Sequence, residues 1–202
     1  NLSPSCFGDT NGIAWVNLTG GTAPYSHSWD IQSFNDTIYN IGIGTYTDTI
    51  IDANGCLDTV SILVTQPNPL LSNIDSLNVN CNGAGNGIAW SLPTGGTTPY
   101  NYLWNDITTA VTDTVRGLTP GFFKVIVTDN NGCSDTDSVN IAEPLKLTSS
   151  ITDTSHVSCF CTGMATVTPL GGTLPYTYIW SDPLGQNDSL ASGLCTGNYS
   201  VS

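Results

Sequence analysis

The hexapeptide Gly20-Gly21-Thr22-Ala23-Pro24-Tyr25 (GGTAPY) decides the fold, because it returns as GGTTPY at residues 95–100 and as GGTLPY at residues 171–176. Glycine permits positive φ, while proline fixes φ and removes a ladder donor, so each copy predicts a connection between two strands. Four residues after the tyrosine, every copy has a tryptophan: Trp29, Trp104 and Trp180. The chain therefore contains three copies of one unit.

Further landmarks keep the same register. Cys6, Cys81 and Cys159 open the copies, 75 and 78 residues apart, and DANGC at 52–56 and DNNGC at 129–133 close the first two. A period of this length suits a small independent domain rather than a solenoid repeat. We predict repeat 1 at residues 1–67, lacking its first strand, a nearly complete repeat 2 at 68–145, and repeat 3 at 146–202, cut before its closing cysteine.

Within each copy, apolar residues alternate at period two, as in Val60/Ile62/Val64 and Val125/Val127. This alternation is typical of half-buried antiparallel strands, and no helical period is sustained. The predicted fold is all-β: tandem, disulfide-linked β-sandwich repeats of immunoglobulin-like or fibronectin-like type.

Two turns carry specific expectations. Asn-Gly in the closing segments predicts a type I′ hairpin, with positive φ at both residues. Tyr46 and Tyr199 are placed like the tyrosine of a tyrosine corner, whereas Phe123, at the same position of repeat 2, has no hydroxyl to donate.

Charge is scarce and almost all acidic. The chain has 202 residues, a formal net charge of −13 and only three basic residues, Arg116, Lys124 and Lys146. Such a surface is a poor partner for nucleic acid or anionic lipid, and no apolar run is long enough for membrane insertion. Seven cysteines indicate an oxidising compartment, so we expect an extracellular or cell-surface location.

Matched positions suggest the disulfides. We expect Cys6–Cys56 and Cys81–Cys133, each closing a loop of about 50 residues that contributes roughly 4 kcal/mol. Cys161 and Cys195 have no counterpart in the other copies and are predicted to pair with each other, which leaves Cys159 for a cysteine beyond the chain end. A metal or redox site at Cys159-Phe160-Cys161 is the weaker interpretation, because no zinc-type spacing accompanies it.

The closing segments also offer oxygen ligands. Spacings of two and then four residues would suit calcium, although a plain hairpin turn accounts for the same residues and no other cofactor is expected. The candidates are Asp52, Asn54, Asp58, Asp129, Asn131 and Asp135. His27 and His156 lie in different repeats without a matched nucleophile, so we interpret them as surface or loop residues and expect no enzyme.

The order of motifs, from Cys through GGTxPY, Trp, Gly-x-Tyr and Asp-x-Asn-Gly-Cys, resembles the SprB-type repeat of the large gliding-motility adhesins of Bacteroidota. The resemblance implies type IX export across the outer membrane, display as a long filament, and a role in adhesion, gliding or capture. The repeats themselves predict a fibre whose partners are neighbouring repeats and other copies of the chain, with an external surface or glycan as a candidate ligand. The resemblance also implies that Cys161–Cys195 is a variant staple of the family.

Two surface hypotheses remain open. Seven Asp-Ser/Thr-aliphatic sites resemble the O-glycosylation sequon of Bacteroidota, although strand alternation produces the same pattern; the hydroxyl residues are Thr37, Thr49, Thr59, Ser76, Thr114, Ser138 and Ser189. Tryptophans could form a sugar-stacking platform on each repeat, which would make the chain a carbohydrate-binding module. The recurrent Trp29, Trp104 and Trp180 are expected in the core, so only Trp15 and Trp90 leave room for that role.

Overall fold

The computed structural model describes residues 1–106, 109–155 and 160–202, and these contain strands and no helix. The prediction of an all-β chain is confirmed. The fourteen strands are β1 Gly12–Trp15, β2 Ser26–Trp29, β3 Thr37–Ile41, β4 Gly44–Ile51, β5 Leu57–Val64, β6 Ile74–Leu77, β7 Gly87–Ser91, β8 Asn101–Trp104, β9 Thr114–Leu118, β10 Gly121–Thr128, β11 Ser134–Ile141, β12 Thr148–Ser155, β13 Gly163–Leu170 and β14 Leu190–Leu194.

The strands form small antiparallel sheets that correspond between repeats. In repeat 1, β1 pairs with β3, and β4 lies between β2 and β5. Repeat 2 repeats the plan with β7 beside β9 and β10 between β8 and β11, and it adds β6 alongside β7. In repeat 3, β12, β13 and β14 correspond to β6, β7 and β9. The sequence register of the three copies is thus also a register of strands.

The core of repeat 1 is a sandwich of its two sheets. Ala14, Ile38 and Ile41 from the β1–β3 sheet pack with Trp29 and Val64 from the β2–β4–β5 sheet. The other recurrent tryptophans, Trp104 and Trp180, are also buried, and all three indole NH groups donate to a backbone carbonyl. Burial with a satisfied NH confirms the core assignment of the recurrent tryptophans.

The GGTxPY segment is a tight connection in all three repeats. Gly20 and Gly21 have φ of +81° and +68°, values that residues with a side chain rarely adopt, and the glycines of the other copies match them. The tyrosine closes the turn on itself: Tyr25 Oη donates to Gly20 O at 2.7 Å, with equivalent bonds at Tyr100 and Tyr176. The predicted turn is therefore confirmed, and its tyrosine is part of it.

The closing hairpin is not the predicted type I′ turn. Only the glycine, Gly55 in repeat 1, has positive φ, whereas the asparagine does not. Gly55 N donates to Asp52 O at 3.0 Å, and Asp52 N donates to Cys56 O at 3.0 Å, which gives a three-residue loop ending in a left-handed glycine. The reason is the Asp52 carboxylate, which accepts the Asn54 NH and thereby favours an Asx turn.

A tyrosine-corner hydrogen bond is present in repeat 1. Tyr46 Oη donates to Gly42 O, four residues upstream, at 3.2 Å. Phe123 lies at the equivalent position of β10, and because it has no hydroxyl it cannot donate this hydrogen bond.

Contact density divides the described chain into two compact units. One consists of Asn1–Asp75, Trp90–Val115 and Phe123–Val139, and the other of Ser76–Ala89, Arg116–Phe122 and Asn140–Ser202. These units cut across residues 68–145, so the division into repeats at 1–67, 68–145 and 146–202 rests on the sequence register and stays a prediction.

Candidate functional site

A disulfide between two repeats defines the candidate site. Cys6, at the start of repeat 1, is bonded to Cys133, in the closing hairpin of repeat 2, with their Cα atoms 5.7 Å apart. The predicted pairs Cys6–Cys56 and Cys81–Cys133 are therefore wrong in this structure, and Cys56 and Cys81 are exposed free thiols. By chain entropy, closing a loop with a sequence separation of 127 stabilises the fold by about 5 kcal/mol.

The length of β5 explains why Cys6 cannot reach Cys56. The loop that follows Cys6 lies at the far end of β5, because Gly8 N donates to Gln66 Oε1 at 2.9 Å. Cys56 immediately precedes β5, whose eight residues span about 26 Å. A disulfide needs Cα atoms within about 7 Å. The two cysteines of one repeat thus lie at its opposite ends.

The second disulfide joins Cys161 to Cys195 within repeat 3, the pair assigned to that repeat from the sequence. Cys159, whose partner was expected beyond the chain end, lies outside the described residues, as does His156.

The loop that carries Cys6 is held by local polar contacts. Ser5 N donates to Asn11 Oδ1 at 3.0 Å, and the Asn11 amide donates back to the Ser5 hydroxyl. Asp9 N donates to Cys6 O at 3.2 Å, which turns the chain immediately after the cysteine. These bonds hold the Cys6 backbone in place independently of the disulfide.

The hairpin that carries Cys133 is organised by one carboxylate. Asp129 Oδ1 accepts the backbone NH groups of Asn131 and Cys133, both at 2.9 Å, and Oδ2 accepts Thr97 N at 2.8 Å. Asp129 is only 3% exposed. It therefore ties the cysteine hairpin to the GGTxPY segment of the same repeat.

Asn131 extends this organisation across the junction between the repeats. Its side-chain amide donates to Ser5 O of repeat 1 at 2.9 Å and to Thr97 Oγ1 of repeat 2 at 3.1 Å. The junction thus combines a covalent bond with a hydrogen bond from the neighbouring turn residue. Its chemistry is that of a structural link, and sequence reasoning missed it because register alone does not show which copy supplies a partner.

Repeat 1 contains the same carboxylate arrangement at its own hairpin. Asp52 Oδ1 accepts Cys56 N at 2.8 Å and Asn54 N at 2.9 Å, and Oδ2 accepts Thr22 N at 3.0 Å. The NH of Cys56, followed by that of Thr22, holds the pKa of Asp52 below its usual 3.8.

This lowered pKa predicts an acid-sensitive hairpin. Because the folded pKa of Asp52 lies below the unfolded value, its stabilising contribution is complete above pH 3.8 and is lost as the pH falls through the folded pKa. In an NMR titration, we expect the Cys56 amide shift to report a midpoint below 3.8. The Asp52→Asn variant should lose that transition, and a wild-type midpoint at or above 3.8 would contradict the assignment.

The calcium candidates are engaged by protein donors. Besides Asp52 and Asp129, Asp135 Oδ2 accepts both Ser72 N and Ser72 Oγ; burial alone would raise the pKa of Asp135, but these two bonds lower it overall. Asn54 and Asn131 direct their amides at threonine hydroxyls, and Asp58 accepts the Thr59 NH. Within the described part of the chain, no group of three or more acidic, His or Cys side chains is arranged to hold a metal ion. The geometry favours the turn interpretation.

The candidate glycosylation residues lie in or beside strands. Thr59 and Ser138 are exposed, on β5 and β11, and the other five hydroxyl residues are partly buried: Thr37, Thr49, Ser76, Thr114 and Ser189. Glycosylation at these sites stays a prediction.

His27 is not the surface or loop residue that was expected. It lies on β2 with its side chain 9% exposed, and Nδ1 is 2.6 Å from Oδ2 of Asp48, whose side chain is fully buried. Asp48 Oδ1 also accepts Ser28 N at 3.0 Å. A buried His–Asp pair thus replaces apolar packing in the core of repeat 1.

The fold and the junction define the class of protein: a tandem array of disulfide-linked immunoglobulin-like β-sandwich repeats. Residues 3–31 and 151–185 match the SprB repeat family, which confirms the resemblance over those two stretches. No match was found among curated proteins. In the described residues, no helix has the length and apolar character to cross a membrane.

Several solved structures are similar at low identity. The amphioxus IgVJ-C2 molecule is 14% identical, covering 65% of this chain and 96% of its own, with a TM-score of 0.32. The N-terminal eight immunoglobulin domains of Down Syndrome Cell Adhesion Molecule are 14% identical, covering 89% of this chain and 26% of their own, with a TM-score of 0.32. A tetra-tandem repeat from the extending region of a large adhesion protein is 13% identical, covering 96% and 61%, with a TM-score of 0.25. Similarity this distant does not carry over a partner or a ligand.

Proposed function

We propose that this chain is a structural and adhesive repeat segment of an extracellular filament or surface adhesin, in which disulfide links between consecutive repeats bear the tension. The observation that carries the proposal is the Cys6–Cys133 disulfide, which joins repeat 1 covalently to repeat 2. The match to the SprB repeat supports an adhesin-type role. Stretching single molecules between their two ends tests it: under oxidising conditions, residues 7–132 should stay folded at forces that unfold an unlinked sandwich.

The wider role follows from the same class of protein. We propose export through the type IX system, participation in adhesion, gliding or capture, and lateral contact with other copies of the chain. The scarcity of Lys and Arg and the oxidised cysteines support an extracellular location. Glycans on the seven Asp-Ser/Thr sites would blunt exposed strand edges; an intact mass of the native protein equal to that of the bare chain would exclude them.

A carbohydrate-binding role is the second candidate, favoured by one pair of exposed aromatics. Trp15 is 41% exposed and Tyr39 is 62% exposed. In the β1–β3 register, Ile13 faces Tyr39 and Trp15 faces Thr37, so Trp15 and Tyr39 are diagonal neighbours on the outer face of the sheet. Two aromatic side chains so placed could stack on a sugar.

A glycan array distinguishes the two candidates. If the chain is a tension-bearing stalk, we expect no glycan to be retained above the level of a Trp15→Ala variant. Because Trp15 lies on the outer face of its sheet, that variant should keep its fold, which circular dichroism can verify. Retention of a defined glycan by the wild type, lost on Trp15→Ala, would favour the carbohydrate-binding module instead.

A further inference from the structure

We infer that Cys81 and Cys56 each belong to a further inter-repeat disulfide of the Cys6–Cys133 kind. In this arrangement, the first cysteine of each repeat bonds to the hairpin cysteine of the repeat that follows. Cys81 would then bond to the hairpin cysteine of repeat 3, and Cys56 to the first cysteine of a repeat preceding repeat 1. This inference deepens the proposed function and rests on its premise of repeats in series. It assigns a modification and a partner to each free thiol.

The loop around Cys81 has the conformation of the loop around the bonded Cys6. Asn80 N donates to Asn86 Oδ1 at 3.2 Å, as Ser5 N does to Asn11, and Ala84 N donates to Cys81 O at 3.1 Å. Gly83 N donates to Glu143 Oε2 at 2.7 Å, the counterpart of the bond from Gly8 to Gln66. The free thiol is therefore presented by a loop already folded as in the closed link.

The hairpin around Cys56 equally matches the hairpin around the bonded Cys133. Asp52 accepts the NH groups of Cys56, Asn54 and Thr22, just as Asp129 accepts their three counterparts. The Asn54 amide donates to Thr22 Oγ1 at 2.9 Å, which positions it like Asn131. Both halves of the link thus exist in their bonded conformation without the bond.

A contact between repeats 2 and 3 gives independent support. Thr173 of the third GGTxPY segment donates from Oγ1 to Asn80 O at 3.5 Å. At the closed junction, the corresponding carbonyl is Ser5 O, which accepts a hydrogen bond from the Asn131 amide. The same amide also donates to the hydroxyl of Thr97, and Thr97 is the counterpart of Thr173. Repeat 3 therefore approaches the Cys81 loop with the same segment that repeat 2 brings to the Cys6 loop.

The chemistry of closure is simple. Two thiols lose two protons and two electrons and form one S–S bond, and the electrons pass to a disulfide oxidant by thiol–disulfide exchange. Consecutive links overlap, because Cys81 lies inside the loop that Cys6–Cys133 closes. Between the first and last links, every backbone residue would lie within at least one closed loop.

The test extends the chain after Ser202 with a copy of its own residues 127–145, which the register places as the hairpin and last strand of repeat 3. After oxidation by a glutathione redox pair, peptide mapping without reductant should show the appended cysteine bonded to Cys81. Labelling of Cys81 by iodoacetamide should fall at least tenfold relative to the unextended chain. An appended cysteine bonded to Cys159, or Cys81 labelled as before, would overturn the inference.

Two variants keep the test decisive if the extension folds poorly. In the unextended Cys6→Ser chain, Cys133 should become labelled and stay unbonded; a Cys81–Cys133 bond would show that pairing is internal to a repeat and would overturn the inference. In the extended Cys81→Ser chain, the appended cysteine should stay labelled. If these labelling results are not obtained but stretching still leaves residues 7–132 folded, the inference about Cys81 and Cys56 is wrong and the proposed function is not. The two proposals can therefore be tested separately.

Discussion

Reducing the Cys6–Cys133 disulfide is expected to lengthen the fully stretched chain by about 440 Å. The bond has a sequence separation of 127, and an extended chain spans about 3.5 Å per residue. While the bond is intact, tension applied at the ends passes from Cys6 directly to Cys133, so the residues between them carry none. Single-molecule stretching with and without dithiothreitol measures the difference as one increment of this size, beside a shorter one of about 120 Å from the Cys161–Cys195 loop, whose sequence separation is 34.

The size and number of increments distinguish the pairings. Disulfides within repeats, Cys6–Cys56 and Cys81–Cys133, would each hide about 50 residues and release two increments of roughly 170 Å. A Cys6→Ser/Cys133→Ser variant should show the long extension without reductant. The matched control is Cys56→Ser, which removes an exposed free thiol and should leave the oxidised length unchanged. Two increments of roughly 170 Å in the wild type, in place of the one of about 440 Å, would contradict the junction.

Much of this fold could be predicted because its signals are local and repeated. The GGTxPY turn, the strand alternation and the buried Trp29 each depend on residues close in sequence, and three copies of the pattern confirm one another. The cysteine pairing is different. Register shows that Cys6 matches Cys81 and that Cys56 matches Cys133, but it is equally satisfied by pairing within a repeat or with the next one. Only the length of β5, which separates the two ends of a repeat, decides between them.

The hairpin shows how a side chain can override a dipeptide signal. Asn-Gly alone favours a type I′ turn. The residue two positions earlier, Asp52 or Asp129, accepts the asparagine NH and selects the other turn. The same carboxylate also accepts the cysteine NH, so the turn choice and the placement of the thiol share one cause.

The His27–Asp48 pair was missed although the register contained its signal. Two positions of repeat 1 differ together from the other repeats. His27 stands where they have Tyr102 and Tyr178, and Asp48 stands where they have Val125 and Val201. A buried carboxylate needs a donor, and the structure supplies His27 Nδ1 and Ser28 N. An acidic residue at an otherwise apolar core position predicts such a partner across the strands.

Replacing only His27 is expected to destabilise repeat 1 by about 3–5 kcal/mol. The His27→Tyr variant leaves the fully buried Asp48 carboxylate without its closest partner, and an uncompensated buried charge carries a cost of this size. The double variant His27→Tyr/Asp48→Val restores the residues of repeat 2 and should be within about 1 kcal/mol of the wild type or more stable, because apolar replacement of a buried pair is often neutral or stabilising. Hydrogen exchange of the β2, β4 and β5 amides measures the change, with repeat 3 as an internal reference.

The matched control for this cycle is Asp58→Asn, on the strand next to Asp48. Asp58 is exposed and its carboxylate accepts the NH of the adjacent Thr59, so the change should stay within about 0.5 kcal/mol. If His27→Tyr alone matched the control, the pair would contribute nothing to the core of repeat 1. If the double variant were as unstable as the single one, the histidine would be required for its shape rather than for its bond to Asp48. If the double variant recovers the stability that His27→Tyr loses, the loss is due to the interaction between His27 and Asp48.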